Sequence, residues 1–283
     1  MTAEIISGKE LAQEKRLEMK NQVESLKEKG IIPGLAVILV GEDPASQSYV
    51  RAKQKACKET GIHSELDEVS PSITEAELLA KIEKLNKAEH IHGILVQLPI
   101  PDHISEKKVI EAIHPDKDVD GFHPINIGRM MTGQESFLPC TPFGIVEMIK
   151  SKNIGIEGKH VVIVGRSNIV GKPVGQLLLN ENATVTYCHS RTKNMAEFTR
   201  SADILVVAVG KPHFIDKDDV KEGAVVIDVG VNRNDEGKLI GDVVFDQVKE
   251  VASYITPVPG GVGPMTITML LHNTVLSANR NLK

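Results

Sequence analysis

Short, continuous apolar runs separated by helix-length stretches constrain this 283-residue chain more than any other feature. The run Leu35–Val40 is bounded by Gly34 and Gly41, and similar runs recur at Gly93–Pro99, His160–Val164, Ile204–Val209 and Val225–Val229. A weaker one lies at Thr184–Tyr187. Runs this short, bounded by turn residues and without alternation, read as strands buried on both faces, which is the pattern of parallel sheets. The stretches between them read as helices. Lys9–Lys29 carries Leu11, Leu17, Val23 and Leu26 among charges and ends at Gly30. Pro44–Glu59 is entered through Glu42-Asp43-Pro44 and stops near Gly61, and Glu75–Ala88 gathers Leu78, Leu79, Ile82 and Leu85 on one side. Thr141-Pro142 reads as a helix cap followed by proline at the first helical position, and a last helix runs from about Met265 to Asn279. His114–Met130 reads as a loop. Such βαβ alternation sets the carboxyl ends of the strands along one edge, where open α/β sheets bind ligands.

The chain exceeds the usual single-domain size, so two α/β domains around a cleft are expected, the second a Rossmann-like parallel sheet. The boundaries expected are residues 1–139 with 264–283 for one domain and 140–263 for the other. A net charge of -5 argues against general nucleic-acid binding, and 3% aromatic residues without Trp leave few stacking platforms for bases. Cys57, Cys140 and Cys188 are widely spaced, without a C-x-x-C pair, and read as free thiols of a reducing compartment. The first twenty residues lack an apolar signal core, and no apolar run approaches the ~18 residues a membrane helix needs. A cytoplasmic protein with no membrane partner is expected. No His or Cys cluster has zinc spacing, and Asp116-Lys-Asp-Val-Asp120-Gly121 fails as a calcium loop because Ile127 stands where a bidentate Glu is required, so its carboxylates are read as capping a turn or binding a donor-rich ligand. No metal is expected.

Two segments carry chemistry. Gly165-Arg166-Ser167-Asn168-Ile169-Val170-Gly171 follows a strand and opens a helix, a setting that suits a pyrophosphate beside free helical N–H groups. Ser167 stands where the standard fingerprint has its second glycine, so the phosphates are expected farther from the backbone. The next strand ends in Tyr187-Cys-His-Ser-Arg-Thr-Lys193 without the acidic residue that selects NAD. Ser190 and Arg191, with Arg166, could instead bind a 2′-phosphate, which favours NADP. A plain glycine turn and a basic solvated loop remain the alternatives for these residues.

The other segment lies about a hundred residues earlier. Tyr49 and Lys53 are four apart and share a helix face. Lysine acts as acid or base near neutrality only when burial or a neighbouring cation lowers its pKa, and an exposed basic helix face is the competing reading. Gln97 interrupts a strand that is otherwise apolar, so its amide should bond something specific near the carboxyl edge. The run Thr256–Pro264 needs sharp turns, and Leu98–Pro99 and Val258–Pro259 are candidates for cis bonds.

Taken together, VGEDPASQSYVRAKQKACKETGI, GILVQLPIP, DVDGFHPINIGRM, PCTPFGIVEMI, VIVGRSNIVGKPV and PVPGGVGPMTITML resemble the bifunctional 5,10-methylenetetrahydrofolate dehydrogenase/methenyltetrahydrofolate cyclohydrolase family over essentially the whole chain. The resemblance implies oxidation of a tetrahydrofolate derivative with NADP, then hydrolysis to the 10-formyl product in the same site of a homodimer. It implies Lys53 as the catalytic lysine, Gln97 bonded to it, Tyr49 stacked on the folate and Asp120 accepting hydrogen bonds from the pterin edge. It further implies Gly165, Arg166, Ser167, Ser190 and Val231 against NADP, and Pro259, Gly260 and Gly261 bordering the folate. A shikimate-dehydrogenase-like enzyme would share the architecture but gives no reason for Tyr49 beside Lys53. A non-catalytic NADP sensor would leave Gln97 unexplained.

Overall fold

The computed structural model describes residues 2–280; Met1 and residues 281–283, which fall within the expected first domain, lie outside the described residues. The chain forms two compact units, Met1–Ala12 with Thr141–Thr266, and Gln13–Cys140 with Ile267–Lys283. Its elements begin β1 (Glu4–Ile5), α1 (Gly8–Glu28), β2 (Gly34–Val40), α2 (Pro44–Thr60), β3 (His63–Val69) and α3 (Glu75–Lys87). Next come β4 (Gly93–Gln97), α4 (Glu106–Ala112), α5 (Pro124–Met131), α6 (Cys140–Ser151), β5 (His160–Val164) and α7 (Gly171–Asn180). They continue with β6 (Thr184–Cys188), α8 (Met195–Thr199), β7 (Ile204–Val207) and β8 (Val225–Asp228). The pair β9 (Asn232–Arg233) and β10 (Leu239–Ile240), then α9 (Phe245–Val248), β11 (Tyr254–Ile255) and α10 (Val262–Arg280), complete the order.

The unit built on Gln13–Cys140 holds a three-stranded parallel sheet in the order β3-β2-β4. Every residue of β2 is buried because it lies between two strands under helices, which explains its unbroken apolar run. Ile38, Leu78, Ile82, Ile94 and Val109 form the core on one face. Asp43 caps α2 by accepting from the Ser46 N–H at 2.7 Å, Pro44 opens the helix, and Gly61 ends it in the left-handed region at φ 80°. Thr74 and Glu77 cap α3 reciprocally. From Ile267 onward α10 belongs to this unit, where Asn273 donates to the carbonyls of Val119 (2.8 Å) and Leu138 (3.0 Å).

The other unit holds six parallel strands in the order β1-β11-β8-β7-β5-β6, over a core of Val162, Val164, Leu205, Val207, Val226 and Ile255. In each sheet the chain leaves one strand to one side and returns on the other: β2 to β3 then β4, and β5 to β6 then β7. That reversal marks two switch points, the carboxyl ends of β2/β4 and of β5/β7.

Several sequence expectations change. Residues 2–12, grouped above with the first domain, fall instead in the unit of the six-stranded sheet, where β1 pairs with β11 (Glu4 opposite Tyr254) and Ala3 packs into the core. Part of the expected loop His114–Met130 is helix α5; the His123 ring accepts from the Ile125 N–H at 3.1 Å, and Pro124 supplies the first turn. Helix α6 starts at Cys140, one residue before the expected cap. The apolar runs overshoot their strands: pairing ends at Gln97, Val207 and Asp228, and the residues beyond turn into loops at the carboxyl edges. Leu98–Pro99 and Val258–Pro259 are both cis. Among the described residues no helix is long and apolar enough to cross a membrane.

Candidate active site

Lys53 sits in the middle of α2 with 8% of its surface exposed, while Arg51, Lys55 and Lys58 on the same helix face outward. The exposed basic face considered above is therefore not the setting of this lysine. Its Nζ donates to Gln97 Oε1 at 2.8 Å, and Gln97 Nε2 donates to the Leu98 carbonyl at 2.7 Å. Gln97 is the last residue of β4, paired with Leu39 of β2, so the sheet register delivers the amide to the β2/β4 switch point. The amide is half-buried and doubly bonded, which removes the cost of its place in an apolar strand.

Burial pulls the Lys53 ammonium below its ordinary pKa, against an upward pull from the Asp120 carboxylate. Burial pushes Asp120 above its ordinary carboxylate pKa, against the pull of Lys53. Desolvation thus outweighs mutual attraction at both partners, and each is driven towards its neutral form. Asp120 keeps part of its surface open although protein surrounds its carboxyl. Tyr49, one turn before Lys53, is half-buried, and burial raises its phenol, so the hydroxyl stays protonated.

The loop carrying Asp120 is held by Asp118, whose carboxylate caps the turn as the Asp116–Gly121 segment suggests. Asp118 is buried and accepts from the N–H groups of Phe122 (3.2 Å) and His123 (2.8 Å) and from Asn126 Nδ2 (2.9 Å). Burial pushes its carboxyl up to about 7. Gly121 turns the chain at φ 79°, where a Cβ would come within 2.6 Å of the Leu138–Pro139 backbone, so only glycine fits. The Cys140 thiol donates to the Val119 carbonyl at 3.2 Å, and burial holds its pKa well above the ordinary value. It remains a thiol, with no thiolate nucleophile to offer.

At the β5/β7 switch point Gly165 adopts φ 133°, and a Cβ there would collide with the Ala208 carbonyl. Ser167 does more than replace a glycine. Its Oγ accepts from the N–H groups of Val170 (3.1 Å) and Gly171 (3.2 Å), and its carbonyl accepts from Lys172 N (3.0 Å). The start of α7 is thus already capped, which corrects the expectation of free helical N–H groups there. The free amides lie just before it: the N–H groups of Arg166, Ser167, Asn168 and Ile169 have no acceptor among the described residues. Four successive open amides beside a glycine cradle fit a diphosphate.

Arg166, Ser190 and Arg191 are exposed, the latter two on a loop ordered by His189, whose N–H donates to Thr192 Oγ1 (2.9 Å) and whose ring accepts from Arg191 N (3.2 Å). Val231 is half exposed at the end of the β8 loop. Pro259 is exposed, Gly260 turns at φ 101° with its carbonyl accepting from Lys9 N at 2.9 Å, and a Cβ on Gly261 would collide with the Pro257 carbonyl.

A parallel sheet with a glycine turn at its switch point is the doubly wound class that binds dinucleotides, here joined to a second unit built around a buried lysine. The sequence profile described as tetrahydrofolate dehydrogenase/cyclohydrolase, catalytic domain, matches residues 6–120, and that described as its NAD(P)-binding domain matches residues 139–282. The chain belongs to the tetrahydrofolate dehydrogenase/cyclohydrolase family. It is 68% identical over 280 residues to the bifunctional protein FolD of Bacillus anthracis, covering 99% of this chain and 98% of that one. The crystal structure of the bifunctional FolD enzyme of Campylobacter jejuni superposes with a TM-score of 0.97 at 52% identity, covering 99% of each chain. A Trypanosoma brucei methylenetetrahydrofolate dehydrogenase-cyclohydrolase, complexed with NADP and an inhibitor, gives 0.96 at 39% identity over 100% of this chain and 99% of that one. Shikimate dehydrogenase of Thermus thermophilus gives 0.56 at 14% identity over 88% of this chain and 99% of that one, a likeness of fold alone.

Proposed function

We propose that this protein oxidises 5,10-methylenetetrahydrofolate to 5,10-methenyltetrahydrofolate with NADP and hydrolyses the product to 10-formyltetrahydrofolate. The observation that carries the reading is the buried Lys53 amine, lowered in pKa and hydrogen-bonded to Gln97 at 2.8 Å at a switch point. NADP, when bound, accepts a hydride from the folate methylene carbon. The chain's part in that step is positioning more than proton transfer, because the cation left behind is stabilised by the folate nitrogens. Gly165, Arg166 and Ser167 hold the diphosphate, Ser190 and Arg191 the 2′-phosphate, and Val231 offers an apolar surface to the nucleotide.

Hydrolysis needs a base. As water adds to the methenyl carbon, the unprotonated Lys53 amine takes a proton from it. As the bond from that carbon to N5 breaks, the resulting ammonium returns a proton to N5, and the remaining hydroxyl proton leaves to solvent. Gln97 fixes the direction of the Lys53 lone pair. Tyr49 stacks its neutral ring on the folate, and Asp120 accepts from the amino-pyrimidine edge, whose donors favour its carboxylate form. The protein is a homodimer of the cytoplasm. Strand β6 ends the six-stranded sheet with Tyr187 exposed, an edge that natural sheets cover, and three buried, unpaired cysteines suit a reducing compartment.

With 5,10-methylenetetrahydrofolate as donor, the wild type reduces NADP faster than NAD. Arg191→Glu reverses or abolishes that preference by placing a negative charge against the 2′-phosphate, a change of about 10-fold or more in relative kcat/KM. An unaltered preference removes Arg191 from the nucleotide site, and a wild type that reduces neither nucleotide overturns the reading.

A further inference from the structure

Two buried carboxylates at the carboxyl edge of the six-stranded sheet have no part in the chemistry above. Asp228 ends β8 at 3% exposure and Asp242 is fully buried. Asp242 Oδ2 accepts from the N–H groups of Val209 (2.7 Å) and Gly210 (2.9 Å). Its Oδ1 accepts from Lys211 N (2.8 Å) and Asn232 Nδ2 (2.9 Å). Beneath it, Asp228 Oδ1 accepts from Gly230 N (2.9 Å) and Asp242 N (3.0 Å), and Oδ2 from Val243 N (3.0 Å). The backbone passes so close that a Cβ on Gly230 would collide with Asp242, and one on Gly241 with Asp228.

These bonds converge on two loops. The first, 208–211, forms the wall of the nucleotide turn, since the Ala208 carbonyl lies against Gly165 where a Cβ would be. The second carries Val231, half exposed and apolar, between Gly230 held by Asp228 and Asn232 held by Asp242. An exposed apolar side chain anchored on both sides is held ready for a ligand surface without further ordering cost. The amides of 209–211 are consumed by Asp242, so this loop shapes the site without offering donors to it.

We propose that Asp242, backed by Asp228, is a positioning residue that sets NADP affinity by fixing the 208–211 wall and the Val231 surface without touching the nucleotide. This rests on the NADP reading given above. Asp242→Asn puts an amide where two of the four N–H donors point, so one pair of bonds is lost and the wall shifts.

The test combines NADP titration by calorimetry with hydrolysis of supplied 5,10-methenyltetrahydrofolate, which consumes no nucleotide. Asp242→Asn is expected to weaken the NADP Kd by about 10-fold or more, since small misplacements of a preorganised site are costly. Its hydrolysis rate is expected within about twofold of wild type, because the lysine site shares no partner with Asp242. Asn232→Ala, which deletes a single donor, is expected to weaken NADP binding by a few-fold and serves should Asp242→Asn fail to fold. Wild-type NADP affinity in either variant overturns the proposal, as does a parallel loss of hydrolysis, which would mark a merely structural network. A wild type that hydrolyses the folate but binds no NADP instead sinks the nucleotide reading itself.

Discussion

Lys53→Met is expected to lower the hydrolysis of 5,10-methenyltetrahydrofolate by about a thousandfold, the scale of a positioned general base removed. The substitution keeps a long, unbranched side chain in a site that exposes only 8% of the residue, so overpacking and cavity effects are small. It also removes a buried amine whose desolvation opposes its charged form. What it leaves behind is Gln97 Oε1 without its donor, a cost of about 1–3 kcal/mol that the still-bonded Nε2 and the open side of the amide moderate. NADP affinity is expected within about twofold of wild type, because Lys53 shares no partner with the Gly165 turn. Measuring hydrolysis with methenyl-folate supplied directly, and NADP binding by calorimetry, separates the two. Hydrolysis retained at the wild-type rate would remove Lys53 from the mechanism.

Asp120→Asn is expected to raise the KM for the folate about 10- to 100-fold, the loss of roughly 1.5–3 kcal/mol when a charged acceptor becomes neutral. Thermal stability should change little, since the three backbone and side-chain donors of this loop go to Asp118 and the turn itself to Gly121. Burial disfavours the Asp120 charge in the empty protein, so the neutral amide relieves a strain of the free state while failing the ligand. A KM unchanged beside an unchanged melting temperature would remove Asp120 from the folate site. A collapse of stability would instead assign it the scaffold role of Asp118.

Much of this was legible in the residues. The strands β2, β4, β5, β7 and β8 are built on apolar runs because both faces are covered, and such runs announce themselves. Gln97 stood out as the polar break in one of them, needing a specific partner at the carboxyl edge; that the partner is Lys53 was implied only by the family resemblance. Strand β3, His63-Ser-Glu-Leu-Asp-Glu-Val69, did not stand out: as an edge strand it leaves most of its side chains partly open and carries charges, so it has no apolar run to read. Strands β1 and β11 are two residues each, below the length at which a period exists.

The capped start of α7 was hidden because the serine that replaces a glycine bonds to the N–H groups of Val170 and Gly171. Nothing in a one-dimensional pattern tells that from a serine facing a ligand. Asp118 was legible as a turn-capping carboxylate, but Asp228 and Asp242 were invisible for a related reason. Their partners are mainly backbone N–H groups, some more than thirty residues away, as between Val209 and Asp242. A buried acid bonded in this way leaves no spacing signature, only the glycines such as Gly230 and Gly241 that make room for it.

The central claim is that one lysine site serves a folate that is first oxidised and then hydrolysed. Mixing the wild-type protein with 5,10-methylenetetrahydrofolate and NADP, and following reduced nucleotide and methenyl-folate absorbance separately in one time course, tests it most directly. Reduced nucleotide rising with little methenyl-folate, and 10-formyltetrahydrofolate as the product, is the result expected. Methenyl-folate accumulating one for one with reduced nucleotide, as fast as it would without hydrolysis by the protein, would contradict it.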